Sequence, residues 1–300
     1  MFLLSALSNN LIYLNFFLLT MTWELILFLL SIIVLIIASY CDLKSREVPD
    51  WLNYGFLFAA FGIRIIYSFH ESWSLLFSGV FGFFLALGIS SLFYYTNQWG
   101  GGDSKLFWGM GAVIGVTLPF DYSSWNLLWF FLALLFIGAI YGLIWMGFQA
   151  VKRKNLFLPE FQKRIRSYKN IHLTCALFTL FFLGLSLWQI YFWPLLLLPL
   201  GLFYLFLFVQ VVEDCCFLKK MKVSQLTEGD WLAEDIVVNG KTILYKKTLE
   251  KADFQKLKPF VGEDKKVLIK EGIPFVPNFF LAYLLLIFGQ KIFAYIFTFF

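Results

Sequence analysis

The chain has 300 residues, of which 60% are hydrophobic, 21% aromatic and only 14% charged, with a formal net charge of +5. A soluble domain carries about 25% charged residues, so this composition excludes an ordinary water-soluble globular protein and requires much of the surface to face lipid. The small positive excess identifies no partner by itself; the placement of the cations says more.

Residues 1–21 are apolar, but the first cation is Lys44, and a chain start without a basic segment argues against a cleaved signal peptide. They are read as an interfacial helix or an extension of the first span; a start at Met21 also gives a sensible protein. Runs of roughly 18 or more apolar residues read as membrane helices. Eight follow, near 22–41, 51–69, 74–95, 105–119, 125–149, 171–190, 193–212 and 275–297. The expected fold class is therefore an α-helical polytopic membrane protein, with six to nine spans allowed around the count of eight. The fourth run is short and reads as a half-helix or one that begins inside the protein.

Lysine and arginine gather in loops on the cytoplasmic side of membrane helices. With the 41/51 connection inside and the sides alternating, 22 of the 24 basic residues fall inside. The two exceptions, Arg64 and Lys291, lie in outer halves of spans, where long side chains snorkel to the interface. Residues 22–150 then form a membrane core, 151–170 a basic cytoplasmic loop and 171–212 a pair of membrane helices. The basic loops are accounted for by orientation, so no nucleic-acid partner is expected.

From residue 213 to 274 the composition turns polar. "IVVNGKTIL" (236–244) places Asn239-Gly240 between β-rich runs, a hairpin signal. "TLEKADFQKLKPF" reads as a short helix from Thr248 broken at Pro259, and "KKVLIKEGIPFVP" as a strand leading into the last span, 275–300. This is a small α+β cytoplasmic domain, read as a scaffold or docking element. Adjacent Cys215 and Cys216 are read as small apolar residues, with lipidation at the membrane edge as the less favoured reading.

Zinc hydrolases of the H-E-x-x-H type need paired histidines; only His70 and His172 exist, and both are read as interfacial. No C-x-x-C pair supplies a zinc ribbon, and no G-x-S-G string suits a serine nucleophile. Carboxylates remain. "SYCDLKSREVPDWLN" (39–53) puts Asp42 where the first span stops, and "QWGGGDSKLFWG" (98–109) puts Asp103 where the fourth begins, both at the cytoplasmic edge. A carboxylate at membrane depth is by default a functional hypothesis, and two brought together share a proton. Such a pair activates water for peptide hydrolysis. Gly100, Gly101 and Gly102 permit unusual backbone conformations and close approach of another chain. The string Gly-Gly-Gly-Asp also reads as an ordinary loop with Asp103 as helix cap. Asp50, after the chain break at Pro49, is read as the cap of the second span. Lys105 either anchors at the interface or biases the charge of the aspartates. Glu24 and Asp121 map to the outer face as solvated groups.

Taken together, these residues resemble the GxGD aspartyl peptidases that process type IV prepilins and archaeal preflagellins. "DLKSREVPDWLN" is similar to that family's first motif, an aspartate followed seven residues later by Pro and Asp or Asn. "GGGDSKL" is similar to its second. The resemblance implies catalytic roles for Asp42 and Asp103, with Gly100 and Gly102 as the flanking glycines. It also implies a membrane-embedded pilin or archaellin precursor as substrate, cut after a glycine behind a short basic leader, with no metal or organic cofactor. The cytoplasmic cysteine insertion of bacterial members is missing, and the polar domain before the last span is more like archaeal relatives. N-methylation after cleavage is therefore not expected. Competing readings are a transporter or channel with intramembrane carboxylates, for which internal repeats are not evident, and a non-catalytic membrane scaffold.

Overall fold

A computed structural model describes residues 22–96, 98–226, 229–238, 241–245, 249, 252–253, 255 and 266–297. Among the described residues five stretches are long and apolar enough to cross a membrane: Trp23–Ser45, Ser74–Tyr95, Tyr122–Lys152, Lys169–Trp188 and Ile190–Cys216. The chain divides into two compact units, one formed by the residues up to Ala139 together with those from Pro274, the other by Ile140–Ile273.

The first unit holds helices α1 (Trp23–Ser45), α2 (Asp50–Ser68), α3 (Ser74–Tyr95), α4 (Gly101–Ile114), the first half of α5 (Asn126–Lys152), and a last helix, numbered α9 below (Pro277–Phe297). α1 opens on Thr22, whose side chain accepts the Leu25 N–H at 3.4 Å, and stops at Arg46 in the left-handed conformation. The core gathers Leu35, Ala38, Phe56, Leu106, Phe107, Phe130 and Phe279, all buried. In lipid no hydrophobic force drives helices together, so small residues that allow close packing decide where they touch. α3 and α4 meet along such a seam. A Cβ on Gly82 would collide with the Gly111 carbonyl oxygen and stand 2.7 Å from Gly115 Cα.

α4, read as a short span over 105–119, is shorter still: 14 residues that stop at Gly115. Gly115 has φ +71°, and a Cβ there would lie 2.8 Å from an Arg64 Nη, so only glycine fits. Arg64 corrects the snorkelling expectation. Its side chain is buried, with 1% of the residue exposed. Nη1 donates to Leu75 O at 2.6 Å and Ser78 Oγ at 2.7 Å, and Nη2 to Val113 O at 2.7 Å. Carbonyl oxygens at a helix end carry partial negative charge, which makes the end of α4 a suitable acceptor for a buried guanidinium.

In the second unit the stretch 151–170, read as a loop, is mostly helix: α6 (Lys154–Ser167) carries four of its seven cations. Proline at 159 sits within it without ending it. α7 (Lys169–Trp188) follows, then a 3-10 segment Ile190–Leu195, α8 (Leu198–Val211) and a π-turn, Val212–Cys216. Among the described residues the polar region carries five short strands and a 3-10 turn, Val223–Gln225. Strands β1 (Leu218–Lys222), β2 (Trp231–Leu232) and β5 (Lys266–Lys270) form an antiparallel sheet in the order β1-β5-β2, and β3 (Ile236–Val238) pairs with β4 (Lys241–Leu244). The flanks of the expected hairpin therefore pair. Its turn residues, Asn239 and Gly240, lie outside the described residues, as do residues 1–21 and most of the helix expected from Thr248. Arg164 joins Asp214 at 2.8 Å and Glu160 at 3.4 Å, along a mixed-charge cleft of about 530 Å³ that also takes in Glu213 and Lys270.

Candidate active site

Asp42 lies in the last turn of α1, four residues before the left-handed Arg46, whose N–H donates to the Asp42 carbonyl at 2.9 Å. Only 6% of the residue is exposed. Its Oδ2 accepts the backbone N–H of Val276 at 2.9 Å. That donor belongs to the irregular stretch leading into α9.

Asp103 was expected to open the fourth span as its cap. Instead α4 begins at Gly101, with Gly100 in the cap position and Asp103 third in the helix. Its Oδ2 reaches back to accept the Gly100 N–H at 3.2 Å, one half of a capping box. Ser104 Oγ donates to Gly100 O at 3.0 Å and fastens the turn from the other side. Trp99, just before the glycines, is buried and packs on Phe93, Phe107, Phe275 and Phe279 with ring centroids 4.8–6.0 Å apart. Asp42 at the end of α1 and Asp103 at the start of α4 thus share neighbours: Val276 bonds to the first and Phe275 packs on Trp99 beside the second.

The glycines work differently from the expectation. Gly100 has φ −74° and ψ 165°, and neither Gly101 nor Gly102 has a positive φ. Nor does internal packing require them. An added Cβ would approach only Asp103 Oδ2 at 3.4 Å from Gly100, Tyr94 at 3.9 Å from Gly101, and Val48 at 3.4 Å from Gly102. What the three residues provide is a bare backbone surface beside Asp103. Asn53 Nδ2 donates to Gly102 O at 3.4 Å, tying α2 to this turn.

Pro49 is the cap residue of α2, and its carbonyl accepts the N–H groups of Leu52 at 3.0 Å and Asn53 at 3.3 Å. The expectation that Asp50 caps α2 is corrected, because Pro49 holds the cap position and Asp50 is the first residue of the helix. Asp50 Oδ1 instead takes Lys105 Nζ at 2.6 Å, and the same ammonium lies 5.4 Å over the Tyr54 ring. Lys105 is therefore fixed to the start of α2. On the other end of the unit, Asp121 accepts from Ser123 and Thr117 hydroxyls at 2.6 Å each. Those bonds, Ser123's first, hold its carboxyl well below the usual carboxylate range.

Sequence reasoning missed Trp99, Asn53, Phe275 and Val276. One signal was present for the last pair: "IPFVPN" opens an apolar helix without Ser, Thr, Asp or Asn ahead of it, so a donor there must find an acceptor elsewhere. Among the described residues no group of three or more His, Cys, Asp or Glu is placed to hold a metal ion.

Residues 29–143, which include both acids and all three glycines, match the sequence profile of the type IV leader peptidase family. A comparison with curated proteins gives no significant match.

Proposed function

We propose, from the match of residues 29–143 to the type IV leader peptidase family, that this chain is an intramembrane aspartyl endopeptidase with Asp42 and Asp103 as its catalytic pair. The observation that supports this reading is geometric: one short segment before α9 holds Asp42 through the Val276 N–H and packs, through Phe275, on Trp99 beside the turn that carries Asp103. Two acids so placed hold one proton between them. The ionised member removes a proton from water, whose oxygen attacks the scissile carbonyl. The protonated member gives its proton to the carbonyl oxygen, and a gem-diol results. Collapse of that intermediate, with a proton passing to the leaving nitrogen, breaks the peptide bond and restores the pair.

The substrate in this reading is a pilin or archaellin precursor whose apolar helix shares the bilayer while its short basic leader stays at the cytoplasmic face. Gly100, Gly101 and Gly102 are the surface the extended leader approaches. Lys105, held by Asp50 beside Pro49, keeps the first turns of α2 and α4 in register. The enzyme is a multi-pass protein of the cell membrane, with this site and the 213–274 domain in the cytoplasm. It is an archaeal-like member that cleaves without methylating the new N-terminus.

The test is incubation of the protein in detergent with a prepilin-like peptide, read by mass spectrometry. Asp42→Asn and Asp103→Asn each abolish the product while the protein still inserts and melts normally. Near-normal turnover in either variant removes that residue from the pair. Aspartate-dependent flux in liposomes with no peptide product would establish a transporter instead.

A further inference from the structure

The segment Ile273–Val276 runs without regular structure from the end of the polar domain into α9. It is bounded by prolines at 274 and 277, which have no N–H to offer. Further into the helix, the N–H groups of Asn278 and Phe279 are already used by Phe275 O at 3.0 Å and Val276 O at 2.9 Å. Val276 N–H is thus a donor at the start of α9 without a helical partner, and it goes to Asp42 Oδ2. Val276 is completely buried and Asp42 nearly so, so water does not compete for this bond.

The segment is also fixed from the side of the other acid. The Phe275 ring lies 6.0 Å from Trp99 and 5.9 Å from Phe279. It fills the space beside Gly138, where a Cβ would come within 2.8 Å of it. Trp99 directly precedes the three glycines. One short stretch therefore holds the carboxylate of Asp42 through its backbone and braces the turn that carries Asp103 through its side chain.

Resting on the aspartyl peptidase reading above, we infer that Val276 is a positioning residue. Its N–H holds Asp42 Oδ2, which sets how the carboxyl is turned toward Asp103 and the attacking water. A carboxylate free to rotate about its terminal bond presents its oxygens over a broad range of angles; one held by a buried amide does not. A misplacement of about 1 Å in a catalytic group costs on the order of 100-fold in rate. Since Val276 binds no substrate in this scheme, the loss falls on kcat and leaves KM alone.

Val276→Pro removes the N–H, and Val276→Ala keeps it. The expected result is at least a 10-fold drop in kcat for the proline variant, with KM within twofold of the parent, and near-parental kinetics for the alanine variant. Thermal melting of both is recorded, and the assay is run well below the transition. A proline variant that is folded and retains its kcat overturns the inference, as does an alanine variant that loses as much as the proline one. Should the proline variant fail to fold, Phe275→Ala decides: it leaves the amide but loosens the segment. A threefold or greater kcat loss at constant KM supports the inference and an unchanged kcat overturns it. Asp42→Asn is run alongside. If that variant still cleaves, the aspartyl reading itself has failed; if it is dead while Val276→Pro is fully active, only the positioning role has.

Discussion

Replacing Gly101 with alanine separates two demands on one position. Gly101 is the first residue of α4, without a positive φ, and an added Cβ would meet only Tyr94 Cε2 at 3.9 Å. The methyl group therefore fits the folded protein as it stands. Glycine-to-alanine changes at compatible sites stabilise by about 0.4–1 kcal/mol, because the unfolded chain loses freedom. In a domain of this size that corresponds to a rise of about 1–3 °C in melting temperature. If a substrate backbone lies against this surface, the same methyl holds it away from Asp103, and kcat/KM falls by about 10- to 100-fold. Gly55→Ala in α2 is the control. Its Cβ would meet nothing within 4 Å, so it gains similar stability and keeps its activity. The pair is assayed by thermal melting in detergent and by peptide turnover. A Gly101→Ala protein that melts lower than the parent refutes the packing argument. One that melts higher and cleaves normally refutes the placement of the peptide.

Two other perturbations test the frame around the site. Arg64→Met removes three charge-assisted hydrogen bonds at once. Ser78 Oγ already donates to Leu75 O at 2.9 Å, so that carbonyl stays satisfied, but Val113 O at the end of α4 loses the guanidinium. Relief from burying the charge offsets part of the loss, and the net expectation is destabilisation of about 2–4 kcal/mol, measured by unfolding in detergent; an unchanged midpoint would show that the arginine contributes nothing net. Lys105→Ala breaks a pair in which Asp50 is 63% exposed, so the stability change stays below about 1 kcal/mol. Turnover should fall further than that, and the charge-swapped double variant Asp50→Lys/Lys105→Asp should recover part of it in a double-mutant cycle; no recovery would mean the two residues act separately.

The membrane helices were legible because hydrophobicity is a local signal: an apolar run long enough to cross a bilayer announces itself residue by residue. Asp42 and Asp103 stood out for the same reason, as acids at the ends of such runs. What the sequence hid is carried by backbone atoms and long-range partners. Asp50 looks like a cap because it follows Pro49, yet its partner, Lys105, is 55 positions away. Arg64 looks like a snorkelling residue because its acceptors include main-chain carbonyls, which leave no mark in the side-chain pattern. Val276 is 234 residues from Asp42, and an amide N–H has no residue identity to read. The basic stretch 151–170 was read as a loop on charge alone, although most of its residues form helices readily.

The brevity of α4 bears on how the reaction is supplied. Fourteen residues at 1.5 Å each reach about 21 Å, whereas the hydrocarbon layer is about 30 Å thick. α4 is walled by protein, with Leu106, Phe107 and Met110 buried; on the proposed reading, water enters where the helix falls short. Hydrolysis consumes one solvent molecule per bond broken, and greasy surroundings would otherwise starve it. On the peptidase reading, a stunted helix with an acid in its first turn wets a buried workplace without a channel bored through the membrane.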